Sequence, residues 1–175
     1  MRKGKKFISA ALGFALVFQS FAGIGPVAVA ATGDVDINST FTDANFRSYV
    51  SSNFDTNKDG TLSEKEIDAV TSLNVSISTY SKKISSLAGV DVFTSLEYLD
   101  CSGQAIGSLD VADLENLKSI NASSDQLTTF TLPKKAEQLA SVNLSYNQIT
   151  DITFQTTYAA LKELNVYGNQ LTSIE

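Results

Sequence analysis

Hydrophobic residues recur through the second half of the chain with a regular period, within the range of known solenoid repeats. Leu96, Leu117, Leu139 and Leu161 stand at nearly equal intervals, and each begins a similar segment. The four segments are LEYLDCSGQAIGSL, LKSINASSDQLTTF, LASVNLSYNQITDI and LKELNVYGNQLTSI. They share the pattern LxxLxLxxNxLxxL, with apolar exchanges at the leucine positions. Self-similarity at a fixed period is the signature of a repeat architecture, and this pattern predicts a leucine-rich-repeat solenoid.

Each repeat predicts a short parallel β-strand, at Leu99 and Cys101 in the first aligned segment, with alternate residues pointing inward. One repeat cannot bury its apolar row alone, so neighbouring repeats must share a core. The convex segments between strands are short and suit extended or 3₁₀ turns. An irregular earlier copy uses Val70 and Leu73, with an insertion at residues 76–83. We therefore predict about five repeats over residues 71–175, the last one incomplete.

The asparagine position of the pattern predicts a ladder of side-chain amides between neighbouring repeats. Asn147 and Asn169 can both donate to and accept from backbone groups of the turn. Gln104 and Asp125 occupy the same place in the two earlier repeats. A carboxylate accepts but does not donate, so the ladder is expected to be weakened and locally irregular at Asp125.

A different, helical periodicity precedes the repeats. Phe46, Tyr49 and Val50 are spaced for one face of a helix that begins after Thr42 as N-cap. Ile67 and Val70 mark a second helix. The two predicted helices form a small cap over residues 31–70.

The segment between these helices, DTNKDGTLSEKE at residues 55–66, has the composition of a calcium-binding loop. A hard cation takes several oxygen ligands and needs one sharp turn, which Gly60 permits. The loop resembles that of an EF-hand, and the resemblance implies a calcium site in the cap. An alternative stays open, because Ser63 and Glu66 also form a capping box that could begin the second helix without metal. The predicted ligands are Asp55, Asn57, Asp59, Thr61, Ser63 and Glu66.

The first thirty residues predict a secretory signal peptide. Basic residues at positions 2–6 precede an apolar stretch from Phe7 to about Phe21, and Ala28-Val29-Ala30 resembles a cleavage site. We expect cleavage after Ala30 and export of the mature chain to the cell surface or medium. An uncleaved anchor is the alternative, although the apolar run is short for a membrane span.

Composition excludes several functions. Removing residues 1–30 leaves nine basic against 19 acidic residues, a net charge of about −10. Nucleic acid and anionic membranes are therefore poor partners. The chain contains no His and one Cys, Cys101, at a predicted core position, so no Ser-His or Cys-His pair can form. We predict a protein that is not an enzyme and whose mature chain has no membrane span.

The outward residues of the predicted strands supply the candidate ligand-binding face. Tyr, Ser and Asn dominate this face, and these residue types are common on adaptable recognition surfaces. The alternative is that the face is simply solvated. The candidate ligand-binding residues are Tyr98, Asp100, Asn121, Asn143, Tyr146, Glu163, Asn165 and Tyr167; the rest of the predicted outward set is Ser102, Ser119, Ser123, Ser141 and Ser145.

Signal peptide, helical cap and leucine-rich repeats together resemble the secreted internalin-like surface proteins of Gram-positive bacteria. The resemblance implies binding of a protein or glycan on another cell or in the extracellular matrix. A second hypothesis makes the chain the binding arm of a larger secreted hydrolase, and a third makes it a structural spacer. The last repeat stops at Glu175 without a polar cap, so we expect the chain to be an N-terminal fragment.

Overall fold

In the computed structural model, residues 33–172 can be described, and they form a helical segment followed by a solenoid of parallel strands. The predicted signal peptide at residues 1–30 lies outside this range. The helical segment contains β1 (Val35–Asp36), α1 (Ile37–Thr40), α2 (Ala44–Asn53), β2 (Thr61–Leu62) and α3 (Glu64–Asp68). Strand β1 pairs antiparallel with β2.

Helix α2 begins one residue later than the sequence suggested. Its N-cap is Asp43, not Thr42, because the Asp43 carboxylate accepts hydrogen bonds from the backbone N–H groups of Asn45 and Phe46, both at 2.9 Å. A carboxylate at this position satisfies two of the unpaired donors at a helix N-terminus. The apolar face follows the predicted spacing, with Phe46 and Val50 buried.

The main sheet has five parallel strands, one from each repeat, which confirms the predicted solenoid. These are β3 (Ser72–Asn74), β4 (Tyr98–Asp100), β6 (Ser119–Asn121), β8 (Ser141–Asn143) and β9 (Glu163–Asn165), in that order across the sheet. Their central residues Leu73, Leu99, Ile120, Val142 and Leu164 lie in register. The register explains why the repeats must stack, because the apolar side chains of each strand are covered by those of the neighbouring turns.

The segments opposite the main sheet are short, as predicted. One is a 3₁₀ turn at Val90–Val92, and two others are the strands β5 (Ser108–Asp110) and β7 (Thr129–Thr131), which pair in parallel as a separate two-stranded sheet. Leu109 and Phe130 at their centres point into the core.

One continuous hydrophobic core runs from the helices into the solenoid. The ring of Phe93, in the first complete turn, lies 5.8 Å from Phe41 and 5.3 Å from Phe54 between ring centroids. Polar contacts reinforce this junction, since the Asp43 carboxylate also accepts from the backbone and hydroxyl of Ser85, at 3.0 and 2.7 Å. The helical segment therefore covers the N-terminal end of the solenoid core. No helix within residues 33–172 has the length and apolar character to span a membrane.

Candidate metal loop and concave face

The loop at residues 55–66 is ordered by its own side-chain oxygens. Both carboxylate oxygens of Asp55 accept backbone N–H groups, from Asp59 at 3.2 Å and from Gly60 at 3.0 Å. The Asp59 carboxylate accepts the backbone N–H and hydroxyl of Thr61, at 2.8 and 2.7 Å. The Thr61 hydroxyl is the main reason that the pKa of Asp59 is lowered. Asn57 joins Asp59 through its Nδ2 at 2.8 Å. Four of the predicted ligands are therefore connected by hydrogen bonds.

Glu66, the last predicted ligand, is fixed by four hydrogen bonds. Oε1 accepts the backbone N–H and hydroxyl of Thr56 at 2.8 and 2.6 Å, and Oε2 accepts those of Ser63 at 3.0 and 2.8 Å. Burial by itself raises the pKa of Glu66, but the hydrogen bonds from Thr56 and Ser63 outweigh it and lower the pKa to about 2. The reciprocal contact from the Glu66 backbone N–H to the Ser63 hydroxyl, at 3.4 Å, completes the predicted capping box.

The loop supplies the right chemistry for calcium, because every candidate ligand offers oxygen and Asp55 is only 5% exposed. Each Asp55 oxygen accepts one hydrogen bond and keeps a second acceptor direction. The carboxylates are not gathered, however: within residues 33–172, no three Asp, Glu, His or Cys side chains form a group that could hold a metal ion. The Glu66 carboxylate is instead directed to Thr56 and Ser63.

The short strand inside this loop, β2, is paired with β1 rather than with a second loop of the same kind. The Gly60 carbonyl accepts the backbone N–H of Ile37 at 3.1 Å, just beyond this pairing. Residues 35–37 thus tie the loop to the start of the described chain. Gly60 itself has a φ of 86°, in the left-handed region that the sharp turn requires.

On the solenoid, the outward residues of the main strands form a continuous row, here called the concave face. Asn74, Asp100, Asn121, Asn143 and Asn165 occupy equivalent positions at the strand ends. In each of them Oδ1 accepts the backbone N–H two residues further on, at distances from 3.0 to 3.3 Å. In the first four, Oδ1 also accepts the side-chain hydroxyl of the Ser that lies two residues further on.

These contacts give the predicted ligand-binding residues a structural role that the sequence pattern did not reveal. Each Oδ1 stabilises the turn that ends its strand. This contact determines how each Asn amide is oriented, because only its oxygen, not its nitrogen, can accept the backbone N–H. The Nδ2 atoms of Asn121, Asn143 and Asn165 make no hydrogen bond to any residue in the described range. The concave face therefore presents a row of amide donors, interrupted by the carboxylate of Asp100.

Three tyrosines stand at the ends of this row. Tyr98 is 49% exposed, Tyr146 59% and Tyr167 69%. The rings of Tyr146 and Tyr167 meet edge to face, with centroids 5.4 Å apart. Tyr146 has a φ of 59°, in the left-handed region; the equivalent turn positions hold Gly103, Ser124 with a φ of 59°, and Gly168, so this conformation belongs to the repeat turn.

The remaining predicted residues are placed as follows. Glu163 is exposed on the last strand and accepts the Ser141 hydroxyl at 3.3 Å. Ser145 was predicted to face outward and is buried, because its hydroxyl turns back to Asn143 Oδ1 at 2.8 Å. Asn74 was missed, since the insertion after it breaks the regular spacing of the repeats. A depression of about 360 Å³ lies on the concave face between Asn74, Tyr98 and Asn121.

The amide ladder runs behind the concave face. Asn147 Oδ1 accepts the backbone N–H of Leu127 at 3.0 Å, and its Nδ2 donates to the carbonyls of Ala122 and Leu144 at 2.7 and 3.0 Å. Gln104 makes equivalent contacts to Ile84 and Val75, so it maintains the ladder despite its longer side chain. The expected weakness appears at Asp125, whose buried Oδ1 has no hydrogen-bond partner within the described part of the chain.

No family model matches the chain, and neither does any curated protein. Among solved structures, the chain is similar to the functional domain of InlJ from Listeria monocytogenes, described as including a cysteine ladder, with 29% identity and a TM-score of 0.68. The alignment covers 83% of this chain and 31% of the InlJ chain, so this chain spans less than a third of that relative.

Two other internalins from Listeria monocytogenes also match over 83% of this chain. InlF shows 19% identity over 62% of its length, and internalin C2 14% identity over 93% of its length, each with a TM-score of 0.36. A cysteine ladder is not shared with InlJ, because this chain has only Cys101, flanked by Val75 and Ala122 at the equivalent positions of adjacent turns. The geometry of the repeats and the InlJ match together show an internalin-like leucine-rich-repeat fold.

Proposed function

We propose that the chain is an exported surface or secreted binding module, which recognises a protein or glycan partner through its concave face and carries one stabilising calcium ion in its helical cap. The observation that carries the proposal is the row of amide donors, bordered by exposed tyrosines. Internalin-like repeats support a surface-binding role by resemblance. The predicted signal peptide at residues 1–30 supports export.

The chemistry of the concave face indicates what kind of ligand it suits. Parallel strands lie about 4.8 Å apart, so Asn121, Asn143 and Asn165 present Nδ2 donors at this interval. Such a row suits a ligand rich in acceptor oxygens, either the carbonyls of a protein loop or the hydroxyls of a glycan. Tyr98, Tyr146 and Tyr167 add apolar contact area with little conformational entropy to lose.

Calcium belongs to the proposal through the donor set of the loop. Asp55, Asn57, Asp59 and Glu66 would hold the ion, with Thr61 through its backbone carbonyl and Ser63 directly or through water. Binding would require the Glu66 carboxylate to turn from Thr56 and Ser63 toward Asp55 and Asp59, and the ion would offset the charge of the three carboxylates. Its role in the cap is stabilisation, since only one such loop is found in the sequence and β2 pairs with β1.

Binding arrays test the role of the concave face. The intact chain is applied to a glycan array and to immobilised extracellular-matrix proteins, and its binding is compared with that of a variant carrying Tyr98→Ser, Tyr146→Ser and Tyr167→Ser. Central aromatic contacts often contribute more than about 1 kcal/mol each, so affinity for a true ligand should fall by at least about tenfold.

The matched control is Gln155→Ser, an exposed polar residue on the opposite side of the repeats. It should leave binding unchanged. Equal binding by the triple variant and the native chain would contradict a role for this face, and both variants must retain the native melting temperature for the comparison to count.

A further inference from the structure

Asp125 stands at a position where its neighbours need a hydrogen-bond donor. Asn147 and Asn169 occupy the same ladder position in the next two turns, and each uses Nδ2 to donate to two backbone carbonyls. One acceptor lies in the preceding turn and one in the same turn. For Asp125, the acceptor of the preceding turn corresponds to the carbonyl of Cys101.

Two groups at this turn, the Oδ1 atom of Asp125 and the backbone carbonyl of Cys101, lack a hydrogen bond that their counterparts make. Asp125 is 7% exposed, and its Oδ1 is buried with no hydrogen-bond partner among the described residues. Within residues 33–172, the backbone carbonyl of Cys101 accepts no hydrogen bond, whereas its counterparts Val75, Ala122 and Leu144 each accept at least one from a ladder amide. An ionised carboxylate cannot close this gap, because it has no proton to donate.

We infer that Asp125 retains its proton in the folded chain at mildly acidic to neutral pH, and that the carboxylic acid donates it to the Cys101 carbonyl, completing the ladder. The proton is the one already carried by the acid, and it is released to solvent when the group ionises. The solenoid is then most stable where Asp125 is protonated and becomes less stable as pH rises.

The surroundings of the carboxyl support this assignment. Burial raises the pKa of Asp125 to about 7, against the opposing influence of backbone N–H groups at Gln104 and Ile106 and of the Cys101 thiol, which lies 3.8 Å from Oδ2. Lys83 also lowers this pKa, but its ammonium is already bonded to the carbonyls of Gly103 and Gln104, at 2.6 and 3.3 Å.

No other charge in the packed turns of the described range can compensate for an ionised Asp125. The thiol of Cys101 has a pKa raised well above its usual value, first by burial and then by the negative charges of Asp125 and Asp100, so it stays neutral. The following turn presents the uncharged amide of Asn147. Ionisation at this site therefore places a carboxylate in a largely buried turn, where Lys83 offsets its charge only in part.

The direction of the pH dependence follows from linkage. The pKa is about 7 in the folded chain and 3.8 in the reference state, so the folded chain binds more protons between these values. The equilibrium constant for unfolding should consequently rise with pH across this window, by up to about tenfold per pH unit, and level off above pH 7.

Urea denaturation of the intact chain between pH 5 and 8, at constant free calcium, tests this inference. In Asp125→Asn an amide supplies the missing donor at every pH, so the rise in the unfolding constant should disappear and the variant should exceed the native chain in stability at pH 8. The reciprocal change Asn147→Asp should introduce a second rise of the same sign. An equal rise in the native chain and in Asp125→Asn would overturn the inference.

Infrared spectroscopy supplies a measurement that does not depend on how the variants fold. The native chain should show the carbonyl stretch of a protonated carboxylic acid at pH 6, lost at pH 9 and absent from Asp125→Asn at both values. Absence of this band in the native chain at pH 6 would mean that Asp125 is ionised there, and would overturn the inference.

Discussion

The loop at residues 55–66 and the concave face are built from the same local contact, which is arranged differently in the two regions. In both, the side-chain oxygen of an Asp or Asn accepts the backbone N–H two residues further on, as in Asn57 to Asp59 and Asn143 to Ser145. In the loop such contacts follow each other directly along the chain. On the concave face they are a full repeat apart and are stacked by strand pairing.

Spacing along the chain therefore decides what these side chains can do. In the loop, successive turns bring Asp55 and Asn57 into hydrogen-bond contact with Asp59. On the concave face, neutral amides lie in a row at the strand interval, where a long ligand could meet several of them. Substitutions can separate local stabilisation from ligand binding in the two regions.

Glu66→Ala should have the largest effect on the free energy of unfolding. It removes the acceptor of four hydrogen bonds, leaving the backbone N–H groups of Thr56 and Ser63 without partners. Loss of such partners and of a helix cap together costs about 3 kcal/mol. Thermal denaturation in chelator should show a melting temperature lower by about 6 to 12 °C. Glu64→Ala, an exposed residue in the same helix, should change stability by less than about 0.5 kcal/mol.

Calcium should raise the stability of the native chain by a comparable amount. At a free concentration one hundred times the dissociation constant, linkage gives about 2.7 kcal/mol. The rise in melting temperature should vanish in Asp55→Ala and remain in Asp151→Ala, an exposed carboxylate on the solenoid. A rise of equal size in both variants would show that calcium acts elsewhere, and no rise in the native chain would leave the loop as a turn held by its capping box.

Acid should weaken the same region more gradually than Glu66→Ala does. The pKa of Glu66 is lowered from 4.5 to about 2 in the folded chain, so its contribution is fully present above pH 4.5 and is lost as pH falls toward 2. The effect is smaller than that of the alanine variant because a protonated side chain still fills the site and keeps one accepting oxygen. Denaturation midpoints between pH 5 and 2 should fall less steeply in Glu66→Gln than in the native chain.

The sequence was sufficient for the repeat architecture because the physical cause of the fold is periodic. Leucines at the regular interval of Leu96, Leu117 and Leu139 can be buried only if the repeats stack, and the strands lie in the predicted register. The loop at residues 55–66 is also a local pattern, so its turn at Asp59 and Gly60 could be predicted. Its calcium ligands stay a prediction.

Contacts that depend on side-chain direction could not be predicted in the same way. The repeat pattern does not predict that Asn143 Oδ1 accepts hydrogen bonds from Ser145, because both residues alternate as expected for an exposed strand. Thr42 and Asp43 are both good N-caps, and the additional contact of Asp43 with Ser85 of the solenoid could not be seen in the sequence. The pattern also did not show how Gln104 maintains the ladder, because its contacts to Val75 and Ile84 join residues on either side of the insertion at residues 76–83.

Asn143→Ala should show that the concave face is structural as well as exposed. The change removes the Oδ1 acceptor of the Ser145 backbone N–H and hydroxyl, at 3.1 and 2.8 Å. Loss of this turn contact should cost about 1 kcal/mol, measured as a shift in urea midpoint. Ser141→Ala, on the same strand with only a 3.3 Å contact to Glu163, should cost less. A larger loss from Ser141→Ala would contradict the structural role assigned to Asn143.

Asn143→Asp should leave stability within about 0.5 kcal/mol of the native chain and still impair ligand binding. The carboxylate keeps an oxygen for the Ser145 backbone N–H, as Asp100 already does for Ser102 at the equivalent position. It loses the Nδ2 donor that the proposed ligand would contact and adds a negative charge to the row. Affinity on the glycan or protein array should fall while the urea midpoint stays constant; unchanged affinity would restrict the role of Asn143 to its turn, and would move the binding surface toward Tyr98 or Tyr167.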